Sequence, residues 1–288
     1  MSASLIVLIP VVLLGVVTSL CFVGCWLGTH GNVPAGPYET AVSATGNLVA
    51  FWQLNDLPQT GSAFDAAPKQ PPLVAFNGTV VGNVTQNVTG IIPSDLVDTL
   101  ATCALFTNGS VKVDFHQELN PATFTLEAWV RPNWTPADPQ VQRAVLVSAN
   151  SVGAGYGLFA TPDNFWEAQI GTGGGNFLSV KATQSIFLDL PNPPFSQYLA
   201  VTFDGMMLTL FVGVVGVPLV AAFQGTTANF VREQPMNATS LFIGMGLPET
   251  LTGMFPFNGF IQDVAVYNVA LDAGTIQAHF TLGSTPPG

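Results

Sequence analysis

Basic residues are nearly missing from this chain. Its 288 residues hold six Lys+Arg against 17 Asp+Glu, a formal net charge of −11, and charged residues make up only 8% of it. Such a surface repels phosphate backbones, which argues against a nucleic-acid partner, and it offers no basic patch to an anionic lipid surface. Cysteine is equally scarce. Of three cysteines, Cys21 and Cys25 fall in an apolar run and Cys103 stands alone in the body. No disulfide can close within the body, metal-type Cys/His spacing is absent, and Cys103 reads as a small buried residue. The three histidines, His30, His116 and His279, are scattered without a nucleophile beside them, so no catalytic triad is supported. The glycines of Gly171-Thr172-Gly173-Gly174-Gly175 lack the Lys-Ser/Thr and the helix of a phosphate loop and read as a hairpin connection.

Charge is absent altogether from Leu5 to Leu27. As a helix that stretch is about 34 Å long, enough for a hydrocarbon core of about 30 Å. The N-terminus carries no Lys or Arg before it, and the run is longer than the apolar part of a cleaved signal. The leading expectation is therefore an uncleaved single-pass span. The alternatives are cleavage or lipoprotein processing, for which Phe22-Val23-Gly24-Cys25 is a poor lipobox, and a buried hairpin. Membrane orientation is unspecified, because the first basic residue is Lys69. Residues 1–4 form a short N-terminus. Residues 28–46, rich in Gly, Pro and small polar side chains, read as an extended linker. The body spans 47–282, and 283–288 are a tail.

The body holds short apolar runs punctuated by Gly, Pro, Asn and Asp, with no fixed-period repeat. Phe124, Leu126, Ala128 and Val130 alternate along one face of a strand at Thr123–Arg131, with Glu127 turned the other way toward a strand surface. Asp204-Gly205 is a hairpin turn. Separate strands are expected at Leu73–Val81, Cys103–Phe106 and Ser110–Phe115. Only Asp272–Phe280 reads as a helix, with Asp272 as its N-cap. The fold class is all-β, a two-sheet antiparallel jelly-roll sandwich.

Four segments carry a family resemblance. They are Asn47-Leu48-Val49-Ala50-Phe51-Trp52-Gln53-Leu54, Phe124 to Pro132 (FTLEAWVRP), Tyr198 to Gly205 (YLAVTFDG) and Phe257 to Leu271 (FNGFIQDVAVYNVAL). In this order they resemble the concanavalin A-like lectin/glucanase superfamily, in its laminin G-like branch. The resemblance implies two packed antiparallel sheets with the first and last strands adjacent. It also implies three function classes, because the fold hosts adhesion domains, glycan-binding modules and glycosidases.

The glycosidase class fails on residues. Glucan-cleaving relatives place acids as Glu-x-Asp-x-Glu on one strand, whereas Glu167 is followed by Gln169 where a second acid is needed. A degenerate hydrolase is thus the weakest reading. For a glycan-binding module, Trp134, Phe165 and Trp166 are the candidate stacking aromatics, while Trp52 and Trp129 belong to core strands. The resemblance also implies a Ca²⁺ site from Asp65 and Asp263, although the Ser-Gly-Asn that usually follows the first Asp is replaced here. The alternative is that both acids cap turns. Sequons at Asn77, Asn83, Asn87, Asn108, Asn133 and Asn237 are acceptors if the body faces a glycosylating compartment. The leading functional expectation is a membrane-anchored, non-enzymatic structural or adhesion subunit of a larger assembly. Such an assembly would be a virion layer over a membrane or a cell-surface complex, with the body on the extracellular, lumenal or virion-membrane face. The alternative is a lectin-like module.

Overall fold

A computed structural model describes residues 35–69, 74–95, 101–187, 195–225, 229–236, 238–246 and 255–286. The expected membrane span at 5–27 and the sequon at Asn237 lie outside these residues. No helix among the described residues is long and apolar enough to cross a membrane.

In chain order the strands are β1 (Leu48–Trp52), β2 (Ser62–Ala63), β3 (Gly78–Thr89), β4 (Thr102–Val113), β5 (Phe124–Pro132), β6 (Arg143–Asn150) and β7 (Ala154–Ala160). They continue as β8 (Phe165–Gly173), β9 (Asn176–Ser185), β10 (Gln197–Phe203), β11 (Met207–Val214), β12 (Val217–Gly225), β13 (Leu241–Ile243) and β14 (Asn258–Tyr267). Among the described residues, two α-helices frame them, α1 (Pro37–Ala44) and α2 (Ala273–Ser284). The hydrogen-bonded order β12-β11-β10-β5-β14-β4-β13-β6-β7-β8-β9 is antiparallel at every step and curls back on itself, so that β11 and β12 pack over β8 and β9. β1 pairs with β14, which joins the beginning and end of the body as the resemblance implies.

Alternation along β5 sorts its side chains into two layers. Leu126, Ala128 and Val130 enter the inter-sheet core with Trp52, Phe106, Trp166, Leu199, Phe203 and Phe257. The opposite face is buried as well. There Trp129 joins Tyr38, Val42, Phe51, Ile91, Tyr198, Tyr267, Ile276 and Phe280 in a second apolar layer beneath α1 and α2. Phe280 lies against Gly213 and Trp129 lies against Gly283. A Cβ at Gly213 would stand 2.5 Å from the Phe280 ring, and one at Gly283 would stand 2.4 Å from Trp129 Cζ2.

Several expectations are corrected here. Residues 37–44 are not extended linker but a helix with Tyr38 and Val42 fully buried. Pro37 opens the helix, and its apolar face is covered by the outer side of the sheet. Glu127 does not sit at a strand surface. It is 1% exposed, because the helices cover the face to which alternation assigns it. The two expected strands at 103–115 are one continuous strand, in which Asn108 adopts φ +77°. The strand expected at 73–81 runs from Gly78 to Thr89 instead, and β12 was not anticipated. The terminal helix forms as expected, with the Asp272 side chain accepting from Thr275 N–H at 3.0 Å.

The tight seat of α2 gives a direct test. Gly213→Ala should destabilise the protein by about 1–3 kcal/mol, because the new methyl group meets the Phe280 ring. Urea denaturation measures it, and an unchanged midpoint would place α2 off this strand.

Candidate functional site

Three polar features stand out from the apolar frame. The first lies under the helices. Glu127 accepts from Tyr38 Oη at 3.2 Å, and His279 Nδ1 stands 3.0 and 3.1 Å from its two oxygens. The other ring nitrogen of His279 meets Thr45 Oγ1 at 3.0 Å. One carboxylate of β5 thereby binds both helices. Sequence reasoning missed the pairing because Glu127 and His279 are far apart in the chain.

The second feature is a cavity of about 220 Å³ beside α1. Its walls bring together Glu39 of α1, Asp95 from a short helical turn and Asp263 of β14, with Gln53, Asn55 and Gln262. Asp263 owes its direction to a β-bulge. Between Gln262 and Ala265 the register against β5 slips, and Asp263 takes φ +56°, the conformation by which a bulge re-aims a side chain. Asp263 is 1% exposed and its Oδ2 has no hydrogen-bond partner, as is also true of Glu39 Oε2. Burial pushes Glu39 up to about 8, and the neighbouring Asp95 adds to the shift. Burial also holds Asp263 well above the usual carboxylate range, reinforced by Glu39 and Asp95. Nearby, burial raises Asp56 to about 6 against the opposing Phe64 N–H.

Asp65 does not join this group. Its Oδ1 accepts from the Phe51 and Ala67 amides, each at 3.0 Å, and its Oδ2 accepts from Phe76 N–H at 2.9 Å. Lys69 Nζ lies 2.6 Å from the same Oδ2 and donates to the Val49 carbonyl. With both oxygens committed to three amides and an ammonium, Asp65 has no room for the oxygen-rich shell of Ca²⁺. The expected Asp65–Asp263 calcium pair is thus corrected: Asp65 orders a turn, and Asp263 faces a different cavity. Among the described residues no group of three His, Cys, Asp or Glu is arranged to hold a metal ion.

The third feature is an open groove of about 510 Å³ lined by Val49, Lys69, Val74, Phe76, Gln117, Glu118, Pro121, Arg232 and Asn268. Two of the chain's six basic residues meet here. Arg232 Nε donates to the Asn120 carbonyl, which anchors the guanidinium at the groove wall. Phe76 is 5% exposed and lies under Lys69, 4.6 Å from the ring centroid. The groove therefore offers amides, cations and the exposed Glu118 carboxylate rather than a free aromatic face. None of its lining residues was expected as a binding residue from the sequence, because they come from five separate segments.

Two of the three expected stacking aromatics are buried. Trp134 is 4% exposed, donates to Asn164 Oδ1 at 3.3 Å and is covered by Arg143. Trp166 is fully buried and donates to Gln197 Oε1 at 2.5 Å. Neither presents a ring to a sugar. Phe165 is half-buried, with Lys181 over its ring. Glu167 accepts from Gln169 Nε2 at 2.5 Å. Cys103 is buried, and desolvation pushes its thiol up to about 12. Asn77, Asn83, Asn87, Asn108 and Asn133 are all exposed.

Comparison with known proteins gives a consistent picture. A laminin G family model, described as the concanavalin A-like lectin/glucanases superfamily, matches residues 106–277. No curated protein matches the sequence. Among solved structures, the binding domain of botulinum neurotoxin DC in complex with SialylT aligns with TM-score 0.57 and 14% identity, over 82% of this chain and 51% of that one. The botulinum neurotoxin serotype C1 binding domain aligns with TM-score 0.55 and 16% identity, over 83% and 52%. The neurotoxin DC binding domain in complex with rat synaptotagmin II gives 0.54 and 15%, over 83% and 52%. The chain spans about half the length of each, and at these identities the likeness is one of fold.

Two outcomes follow from the geometry. Asp65→Ala should cost about 3–5 kcal/mol in urea denaturation, since it strands the Lys69 ammonium and three amides. A loss below 1 kcal/mol would mean that water replaces the carboxylate. The raised carboxyls set the pH profile. The folded protein holds protons on Glu39 and Asp56 that the unfolded chain, with ordinary values near 4.5 and 3.8, releases earlier. Their contribution is complete below about pH 4 and is lost as pH rises through about 6 and then about 8. Thermal melting between pH 4 and 8 should show this decline, and a rise over that window would contradict it.

Proposed function

Because the chain belongs to the concanavalin A-like lectin/glucanases superfamily, we propose that it is a non-enzymatic, lectin-like module whose groove between Lys69 and Arg232 binds a glycan. The observation that carries this reading is the groove itself. It is open, and it combines an apolar wall of Val49, Val74 and Pro121 with the amides of Gln117 and Asn268, the guanidinium of Arg232 and the carboxylate of Glu118 beside Gln117. Such a mixture suits a sugar, whose ring carbons take the apolar wall and whose hydroxyls take the amides.

Arg232 narrows the ligand class. Lys69 is neutralised by Asp65, so Arg232 is the cation left to meet a ligand. Its planar fork suits a carboxylate. A carboxylate-bearing sugar is therefore the favoured ligand. The complex of a structurally similar binding domain with SialylT accords with this choice. Hydrolysis finds no support in the geometry, because Glu127 is locked beneath the helices and Glu167 has an amide for its partner.

The apolar run Leu5–Leu27 supports a second element of the reading, a single-pass anchor that presents the module at a membrane surface. On this reading, a short N-terminus (1–4), the anchor (5–27) and a connection precede a body that begins at α1. Glycosylated or virion-surface settings, and a place among neighbouring subunits, are compatible with that arrangement, and the exposed asparagines would face outward.

Glycan-array binding tests the proposal. Sialylated glycans should be retained and their desialylated forms lost. Arg232→Ala should weaken binding by about tenfold to a hundredfold, with Lys181→Ala as an unaffected control. Equal binding of both glycan forms would remove the carboxylate. Failure to bind any glycan by a folded, full-length chain would remove the lectin reading.

A further inference from the structure

We propose that a buried ring through Asn120, Ser148 and Glu233 holds the Arg232 guanidinium in one orientation at the wall of the groove. For its ligand this ring rests on the glycan reading above; its geometry does not. Arg232 Nε–H donates to the Asn120 carbonyl. The Asn120 side chain donates from Nδ2 to Ser148 Oγ at 3.2 Å. Ser148 Oγ donates in turn to Glu233 Oε2 at 3.2 Å. Glu233 follows Arg232 in the chain, so the peptide bond between them closes the ring.

The Ser148 hydroxyl makes the ring continuous. It accepts from an amide and donates to a carboxylate at once, which a methyl group cannot do. Asn120 and Ser148 are 1% exposed and Glu233 is 0% exposed. Away from water such bonds are stronger than on the surface, and each is costly to leave unmade. The backbone is fixed on both sides of Arg232 as well. Val231 N–H donates to the Gly171 carbonyl at 2.9 Å, and the Val231 carbonyl accepts from Gly155 N–H at 2.8 Å. On the other side Glu233 Oε1 accepts from Thr239 N–H at 3.2 Å. The same polar core reaches the segment that brings Gln117 and Glu118 to the groove. Tyr156 Oη donates to the Leu119 carbonyl, and burial, reinforced by Glu233, holds its phenol well above the ordinary value and so keeps it a donor.

The ring decides how an acid is met. A guanidinium carries five N–H donors in one plane. The Asn120 carbonyl takes the one on Nε, so a carboxylate in the groove approaches the outer edge, where the two terminal nitrogens donate side by side. Glu233 and Ser148 act here as positioning residues. With the ring opened, the arginine side chain samples several rotamers, and ordering it on binding costs affinity.

Nitrogen-15 NMR of the arginine Nε–H groups in the full-length chain, held in detergent micelles, reads the ring directly. The chain has three arginines, and Arg232→Lys identifies the signal. Ser148→Ala and Asn120→Ala open the ring at different residues. In each, the Arg232 Nε–H should exchange with water at least about tenfold faster than in the native chain, while the Arg131 signal keeps its rate. Sialyllactose binding should weaken by about threefold to tenfold in both. Added to Arg232→Ala, Ser148→Ala should weaken it no further. Gly213→Ala, which strains the seat of α2, should leave sialyllactose binding unchanged and so separates positioning from a general loss of stability. Arg232 Nε–H exchange as slow in both ring variants as in the native chain would overturn the proposal. So would additive losses in the double variant. A native chain that binds no sialyllactose, with faster exchange in the ring variants, would remove the glycan reading and leave the ring standing.

Discussion

The outer face of the sheet must be covered, and the structure follows from how it is covered. β5 places Thr125, Glu127 and Trp129 on that face, and β10 sets Ala200 and Tyr198 opposite the last two. A carboxylate in the middle of an aromatic layer is costly unless its oxygens are bonded. Glu127 is bonded only because α1 brings Tyr38 and α2 brings His279. The two ends of the described fold are therefore tied to one side chain in its middle. The inter-sheet core holds the sandwich together, but Glu127 makes the helices part of the fold rather than appendages.

The same constraint explains the distribution of charge. With charged residues at 8% of the chain, a typical fold would place nearly all of them on the surface. Here Glu39, Asp56, Asp95, Glu127, Glu233 and Asp263 are all buried. Each has work inside the fold. Glu127 joins the helices to the sheet, while Glu233 accepts from Ser148 and Thr239 and holds the segment before β13. Asp263 is turned by a bulge toward Glu39 and Asp95. The exposed surface keeps a thin scatter of charges, among them Asp114, Asp163 and Lys181, between amides, hydroxyls and apolar side chains. Basic residues are so few that the meeting of Lys69 and Arg232 in one groove distinguishes that groove from the rest of the surface.

The strands of the sandwich were legible because alternation and turn residues act locally. Thr123 to Arg131 reads as a strand in the sequence and is one, and Asp204-Gly205 marks the turn between β10 and β11. The joining of β1 to β14 came from the family resemblance and not from periodicity. The covering of the outer face was not legible. Local composition gives residues 28–46 the look of a linker, since nothing within that stretch reveals that Tyr38 and Val42 meet Trp129 and Tyr198 across the fold. The site residues were harder still. Trp134 and Trp166 lie near loops and so resembled exposed stacking platforms, yet burial is set by Phe257, Asn164 and Gln197 from distant segments. The groove has no sequence motif because its wall is assembled from residues between Val49 and Asn268.

Asp65 and Asp263 show how one family template can hold two different chemistries. The resemblance puts both at a shared cation site, but two features of this chain separate them. Lys69, four residues after Asp65, supplies an internal cation to that carboxylate. An ammonium brings one positive charge and three donors, enough to neutralise one acid but not three. On the strand that carries Asp263, the Gln262 Oε1 accepts from Ile91 N–H at 2.7 Å. That bond fastens the segment leading to Asp95, and Gln262 Nε2 reaches Asp95 Oδ2 at 3.4 Å. With the loop acid satisfied by lysine, Asp263 turns to a cavity shared with residues from outside the matched 106–277, Glu39 and Asp95. In this chain Asp263 sits at the junction between the sandwich and its first helix.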